Sequence, residues 1–283
     1  MARLIHLSDL HFGAHDERLV HAVEERIAEA NPDLVVVSGD FTQRARTEQF
    51  EQACAFLTRL RDGGQEVLGV PGNHDVPLYD VLRRFLSPLT RYKRYIDRTL
   101  CPVHELGDAM VVGINTARSL TFKDGRIGDD QVAFIRRAFA RKSGATARIL
   151  VTHHPLFALP VGDGPELGKA IGGQESALAA VAEAGVDLLL AGHNHRASTH
   201  HAADLATGAG SALVIQAGTA TSTRLRDEEQ SFNLIETAPE TVRVAVQGWD
   251  GTGFASQDAV RFVRREGHWQ TAKGEELAEA AYD

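Results

Sequence analysis

The residues most able to do chemistry fall in five short clusters: Asp9-Leu10-His11, Gly39-Asp40, Gly72-Asn73-His74-Asp75, His153-His154-Pro155 and Gly192-His193-Asn194-His195. Residues two apart on an extended chain point the same way, so Asp9 with His11, and His193 with His195, are each a pair of metal donors in waiting. Asp40, Asn73 and one histidine of the 153–154 pair add three more. Pro155 bars regular strand pairing, which puts both of those histidines at a strand terminus. Three of the clusters also have a plain reading: Asp9 a helix N-cap, Gly39-Asp40 a simple turn, His193 and His195 a surface pair. Their conjunction decides. Seven donors are too many for one tetrahedral ion and enough for two ions that share a carboxylate. Mixed nitrogen and oxygen donors without thiolate suit Mn, Fe, Zn or Co. Two such ions about 3.5–4 Å apart form a clamp for in-line displacement at phosphorus, and water between them is acidic enough to attack near neutral pH.

Five apolar runs deliver these clusters: 3–8, 34–38, 67–70, 149–152 and 186–191, with two more at 110–114 and 213–216. Their length and β-branched content read as buried strands. Helical periods lie between them, at Leu19, Val23, Ile27 and Ala30, at Phe50, Cys54, Leu57 and Leu60, at Val132, Ile135 and Phe139, and over 174–184. Alternating strands and helices predict an α/β fold, with ligands at the strand ends. Towards the end, 231–236, 241–247 and 259–269 read as strands without helices between them, forming a second sheet or an edge of one. Residues 272–283 read as a short helix or tail. Residues 76–107, rich in arginine and tyrosine, and 155–173, rich in Gly and Pro, read as irregular surface shaping a pocket; the basic and aromatic residues of 79–95 read either as a solvated face over a core, at helical spacing, or as a lid over an anionic or nucleobase-bearing substrate. His6 lies within a strand and reads as a satisfied core histidine; His200 and His201 read as loop residues without a role.

Composition narrows the classes. The 283 residues are 43% apolar and 24% charged, which excludes disordered, collagen-like and coiled-coil chains. Lys and Arg number 30 against 38 Asp and Glu, a net charge of −8, so neither a nucleic-acid partner nor a membrane partner is expected. Cys54 and Cys101 lie in no CxxC pair and suit a reducing cytoplasm. The opening MARLIHLSDLHFG has no signal-peptide pattern, and no stretch approaches the ~18 apolar residues of a membrane span. No Pro-, Gly- or Ser-rich linker divides the chain, so one domain over 1–283 is expected.

The ordered series D-x-H, G-D, G-N-H-D, H-x-P and G-H-x-H resembles the calcineurin-like metallophosphoesterase superfamily, over residues 3–220 or so. The resemblance implies a four-layer α/β/β/α sandwich, two mixed sheets flanked by helices, with a dimetal site at the strand C-terminal ends. It implies one metal on Asp9, His11, Asp40 and His195 and a second on Asp40, Asn73, His153 and His193. His153 is chosen because the family ligand stands two residues before the proline; His154 then either supports the ligands from behind or lies near the substrate. His74 is implied as a phosphate contact or general acid, with Asp75 orienting its ring. Arg224 is a further candidate for a phosphate contact. The implied cofactors are two metal ions, Mn2+ or Fe2+/Fe3+ first, Zn2+ or Co2+ next. Some relatives are dimers or larger, so a homo-oligomer is among the expectations.

The blocks also separate branches. The stretch GDFTQRA lacks the GD-x-V-D-R-G form of the protein phosphatases. Gln43 stands where purple acid phosphatases place a metal-bound tyrosine, and His74 where lipid A precursor hydrolases have arginine. What remains is similar to the bacterial phosphodiesterase branch and its GD-x-T-x-x-G stretch, with Ala45 where that pattern has glycine. This implies hydrolysis of small phosphodiesters, with 3′,5′-cyclic AMP the first candidate. Glycerophosphodiesters or a broader range of phosphate esters are the alternative, and a non-catalytic binding module on the same fold is the rival of another class.

Overall fold

The computed structural model describes residues 1–121, 123–141, 144–159, 168–223 and 229–272. Strands β1 (Ala2–Leu7), β2 (Leu34–Val37) and β3 (Val67–Gly69) are joined by helices α1 (Glu17–Ala30) and α2 (Thr47–Asp62). Two short helices follow, α3 (Val81–Leu86) and α4 (Thr90–Tyr95). Next come β4 (Val103–Leu106), β5 (Ala109–Gly113), β6 (Ala147–Val151), β7 (Leu188–Ala191), β8 (Ser198–His201) and β9 (Leu213–Gln216). Helices α5 (Asp129–Phe139) and α6 (Gln174–Glu183) connect β5 to β6 and β6 to β7. The described chain ends with β10 (Ser231–Ala238), β11 (Thr241–Trp249), β12 (Phe254–Arg265) and β13 (His268–Thr271).

One sheet runs β13-β12-β11-β10-β1-β2-β3 and the other β4-β5-β6-β7-β9-β8. Within them β1-β2-β3 and β5-β6-β7-β9 are parallel and the remaining pairs antiparallel, so both sheets are mixed. Alternate residues of a strand face opposite sides, so each run feeds two cores. Val35 and Val37 of β2 pack with Leu19, Val23 and Phe50 of the helices, while Leu34 and Val36 face the other sheet. In β6, Leu150 packs with Ile135 and Val181, while Ile149 and Val151 face the first sheet. Burial on both faces is why these strands read as unbroken apolar runs. The result is the expected order of helices, sheet, sheet and helices.

Of the two readings for the C-terminal strands, the edge holds: β10 pairs with β1, and the strands extend the first sheet rather than build their own. Three expectations change. The strand expected over 259–269 is part of a hairpin, turning at Glu266 and Gly267, both with positive φ. The stretch 76–107 is not simply irregular surface, since it carries α3, α4 and β4. Its basic and aromatic residues divide. Tyr92 is fully buried, edge-on to Phe41 at 5.7 Å. Buried Arg84 donates to the carbonyls of Pro77, Ser119 and Thr121. Leu82, Phe85 and Leu86 are exposed on α3. The helical reading of 79–95 is met by α3 and α4, although Arg84 and Tyr92 are buried rather than on a solvated face. His200 and His201 lie in β8 rather than a loop. Residues 160–167 and 273–283, parts of the expected Gly/Pro-rich loop and tail, lie outside the described residues.

Ala45 sits at φ +50°, the left-handed region, at the position where the resembled pattern has glycine. That conformation costs an L-residue roughly 1–2 kcal/mol. Glycine would relieve it, but loses a buried methyl worth about 0.8 kcal/mol and adds unfolded-chain freedom worth about 0.5–1 kcal/mol. Ala45→Gly is therefore expected to leave stability within about 0.5 kcal/mol of wild type, whereas Ala53→Gly inside α2 loses roughly 1.5 kcal/mol or more. Urea midpoints of the two variants check this; equal losses would contradict the strain.

Candidate metal centre

Every cluster lies just beyond the C-terminal end of a parallel strand: Asp9 and His11 after β1, Asp40 after β2, Asn73 after β3, His153 after β6, and His193 and His195 after β7. Both sheets contribute, so the donors meet where the two sets of strand ends face each other. Five of these residues, Asp9, His11, Asp40, His193 and His195, have positive φ. Such backbone strain persists only where surrounding structure over-determines it, and it concentrates at functional sites. Two glycines show how tight the approach is. A Cβ on Gly39 would overlap the His153 ring, and one on Gly72 would overlap the Asp40 carboxylate.

The donors form two groups. In one, Asp9 Oδ1 lies 3.1 Å from His195 Nε2 and 3.7 Å from His11 Nε2, and the two imidazole nitrogens are 3.2 Å apart. In the other, Asn73 Oδ1 lies 3.1 Å from both His153 Nε2 and His193 Nδ1. Asp40 Oδ2 faces both groups, 3.9 Å from His11 Nε2 and 3.4 Å from His153 Nε2. Ring nitrogens and carboxylate oxygens turned toward common points, with too few protons to satisfy them, fit cations better than hydrogen bonds. The residues present therefore suit divalent metal ions. His154 with His153 and His193, and His74 with His11 and Asp40, also place ligand atoms within 4.8 Å of one another.

Supporting contacts fix the donors' orientation. Ser8 Oγ donates to Asp9 Oδ2 at 2.6 Å, and His193 N donates to the same oxygen at 2.9 Å. His153 Nδ1 lies 2.8 Å from Ser38 O, which holds a proton on Nδ1 and turns Nε2 into the site. Asp40 Oδ1 accepts the main-chain N–H of His74 at 2.7 Å. Burial works to raise the Asp40 carboxyl, but His153, His74 and His11 outweigh it and hold it well below the usual range. Asp9 is likewise held low against its burial, first by His195. Burial alone would lower His153, but Asp40 pushes it up to about 9. His11 is lowered to about 4 by burial, in spite of Asp40 and Asp9.

The His74 ring stands 4.9 Å from that of His11, edge to face. Its Nδ1 is 2.7 Å from Gln43 O. Asp75 is not its partner, which corrects the expected catalytic pair. The Asp75 carboxylate accepts from Gly72 N at 2.9 Å, Thr42 N at 2.9 Å, Thr42 Oγ1 at 3.0 Å and Phe41 N at 3.3 Å. It braces the Asp40 turn against the Asn73 turn from below. Burial, then the Asp40 charge, push this carboxyl up to about 7. Of its two readings, His154 fits the supporting position rather than substrate contact: it is 3% exposed, and its Nδ1 is 2.8 Å from Thr116 Oγ1. That leaves little of it to touch a substrate. Arg224 lies outside the described residues. His6 is buried, with Nε2 2.9 Å from Ser38 Oγ, and burial lowers it to about 3. Ser8 and the carbonyls of Ser38 and Gln43 escaped the sequence reading, because main-chain acceptors and a lone serine leave no spacing signal.

Imidazole and carboxylate donors at the strand ends of two facing sheets define a metal-dependent hydrolase type of site. The chain belongs to the calcineurin-like phosphoesterase family, whose model matches residues 2–197. One segment is 34% identical over 83 residues to glycerophosphodiester phosphodiesterase GpdQ of Enterobacter lignolyticus, covering 25% of this chain and 29% of that protein. Another match, to the DNA double-strand break repair protein Mre11 of Methanopyrus kandleri, is 29% identical over 86 residues, covering 26% of this chain and 19% of that protein. These alignments therefore span less than a third of either relative. Among solved structures, purple acid phosphatase PPD1 from yellow lupin superposes with a TM-score of 0.73 at 13% identity, covering 94% of this chain and 54% of that one. A dimetal phosphatase from Danio rerio gives 0.61 at 12% identity, covering 90% and 98%. At such identities these two share the fold. Among the described residues, no helix is long and apolar enough to cross a membrane.

Proposed function

We propose that this chain is a binuclear metal-dependent phosphodiesterase acting on small phosphodiesters, with 3′,5′-cyclic AMP the first candidate and glycerophosphodiesters the alternative. One observation carries the reading: Asp40 Oδ2 faces both donor groups, at 3.9 and 3.4 Å from their nearest imidazoles. Asp9, His11, Asp40 and His195 would hold one ion, and Asp40, Asn73, His153 and His193 the other, with Mn2+ or Fe the first choice and Zn2+ or Co2+ next. When bound, such ions neutralise phosphoryl charge and acidify water.

The chain's own residues do the rest. Ser8 and the His193 amide occupy Asp9 Oδ2 and leave Oδ1 for the site. The Ser38 carbonyl holds His153 with Nε2 facing inward. His74, its Nδ1 proton tied to Gln43 O, carries any second proton on Nε2, where it can be given to a leaving-group oxygen. The segment shared with GpdQ supports the diester reading. A net charge of −8 supports a small-molecule substrate over a nucleic acid, and the thiols Cys54 and Cys101 suit the cytoplasm.

Hydrolysis by the Mn2+-loaded protein of bis(p-nitrophenyl) phosphate against p-nitrophenyl phosphate tests this, with the diester expected to be strongly preferred. Preference for the monoester would place the chain among phosphatases. Turnover of neither would favour a binding module.

A further inference from the structure

A recess of about 470 Å³ opens beside the metal centre, lined by Gly13, Ala14, Gln43, Arg44, Arg46 and Gln49. Its walls are continuations of the turns that carry the donors. Ala14 N bonds His11 O, and Gln43, three residues beyond Asp40, holds the His74 ring through its carbonyl. The recess therefore adjoins the His74 side of the centre. No carboxylate lines it, although the chain has eight more acidic than basic residues (38 − 30).

The two arginines stand on a turn that is unusually well fixed. Gln49, itself largely buried, accepts the main-chain N–H of Arg44 at 2.8 Å and of Arg46 at 3.4 Å. Between them Ala45 is held in the left-handed region, its N–H on Thr42 Oγ1 and its carbonyl on Arg91. Three side chains and a strained residue thus fix the turn that brings both Arg44 and Arg46 to the recess. Among the described residues neither is in an ion pair. Arg44 rests over the Tyr79 ring at 5.3 Å, which steadies it without neutralising it. Arg46 immediately precedes α2, whose N-terminal end adds positive partial charge.

We infer that this recess is a second anion subsite, which selects phosphodiesters carrying a further phosphate or carboxylate on one of their two alcohol arms. The inference rests on the phosphodiesterase reading above and moves its preferred substrate from 3′,5′-cyclic AMP, which has no second anion, to small diesters that carry one. Paired guanidinium groups match the geometry of such an anion. A neutral or cationic arm, such as a choline ester, gains nothing there.

The test compares thymidine 5′-(p-nitrophenyl phosphate) with its 3′-phosphorylated counterpart on the Mn2+-loaded full chain, both read as p-nitrophenolate release. The expected kcat/KM is about tenfold higher for the 3′-phosphorylated ester, the worth of about one charge-assisted contact. In the Arg44→Ala/Arg46→Ala variant the ratio is expected to fall to about one, while Arg44→Lys/Arg46→Lys retains part of it. Metal content and thermal midpoint establish that the variants are folded and loaded. Equal kcat/KM for the two esters in the wild type overturns the subsite and leaves the phosphodiesterase reading standing. An equal loss for both esters in the alanine variant also overturns it, by assigning the arginines to the scissile phosphate. Turnover of neither ester fails the phosphodiesterase reading, and the subsite with it.

Discussion

Asp40→Asn is expected to lower diester turnover by at least about 10³-fold, the equivalent of about 4 kcal/mol of lost transition-state stabilisation. Bound Mn2+ is expected to fall from two ions per chain to one or fewer. Asparagine keeps the shape of the side chain and can still accept the His74 main-chain N–H. What it removes is the charged oxygen that faces His11 on one side and His153 on the other. Because that oxygen serves both donor groups, its loss weakens both at once. The fold is expected to survive, for an electrostatic reason. Asp40 is the charge that holds His153 up at about 9. Without it, burial lets that ring become neutral, which a buried imidazole tolerates. Asp75, pushed up partly by the Asp40 charge, is relieved as well. Metal analysis, diester kinetics and the unfolding midpoint read the three effects separately. Two ions and undiminished turnover in Asp40→Asn would sink the shared-carboxylate assignment.

His74→Ala is expected to cost about 10²–10⁴-fold in turnover, the usual span for a general acid, with both metal ions retained. The reason for retention is specific to this backbone. The bond from residue 74 to Asp40 Oδ1 comes from the main-chain N–H, which alanine keeps. The side chain is tied by Nδ1 to Gln43 O instead. Yet His74 also places a ligand atom within 4.8 Å of those of His11 and Asp40. Loss of a metal ion in His74→Ala would therefore reverse its assignment and make it a ligand. Leaving-group dependence separates proton donation from simple positioning. A p-nitrophenolate leaves without help, so the loss should be smallest for such esters and grow for alkyl diesters. A loss independent of the leaving group would place His74 on the phosphate rather than on the departing oxygen.

Much of this centre is legible in the chain because its signals are local. A doubly buried strand is an unbroken apolar run, and a ligand turn is a polar cluster at its end, so Leu34 to Asp40 announces both within seven residues. The same logic fails for β4 and β8, short edge strands whose residues are only partly buried. It fails for Tyr92, whose six-residue helix conceals a core position. It misassigns Asp75, because adjacency to His74 in sequence suggested a contact. The carboxylate instead reaches across 34 and 33 residues, to Phe41 and Thr42.

The sequence by itself determined which donors this protein owns, their order along the chain, and that each sits where a buried strand stops. Those properties depend on residue type and on a period of a few residues. Only the tertiary structure decided which donors meet. Asn73 finds His153 across 80 residues and His193 across 120, and it does so because two separate sheets bring their strand ends face to face. It also decided that Asp40 Oδ2 faces both groups. Such juxtapositions are set by packing between distant elements, and no local spacing carries them.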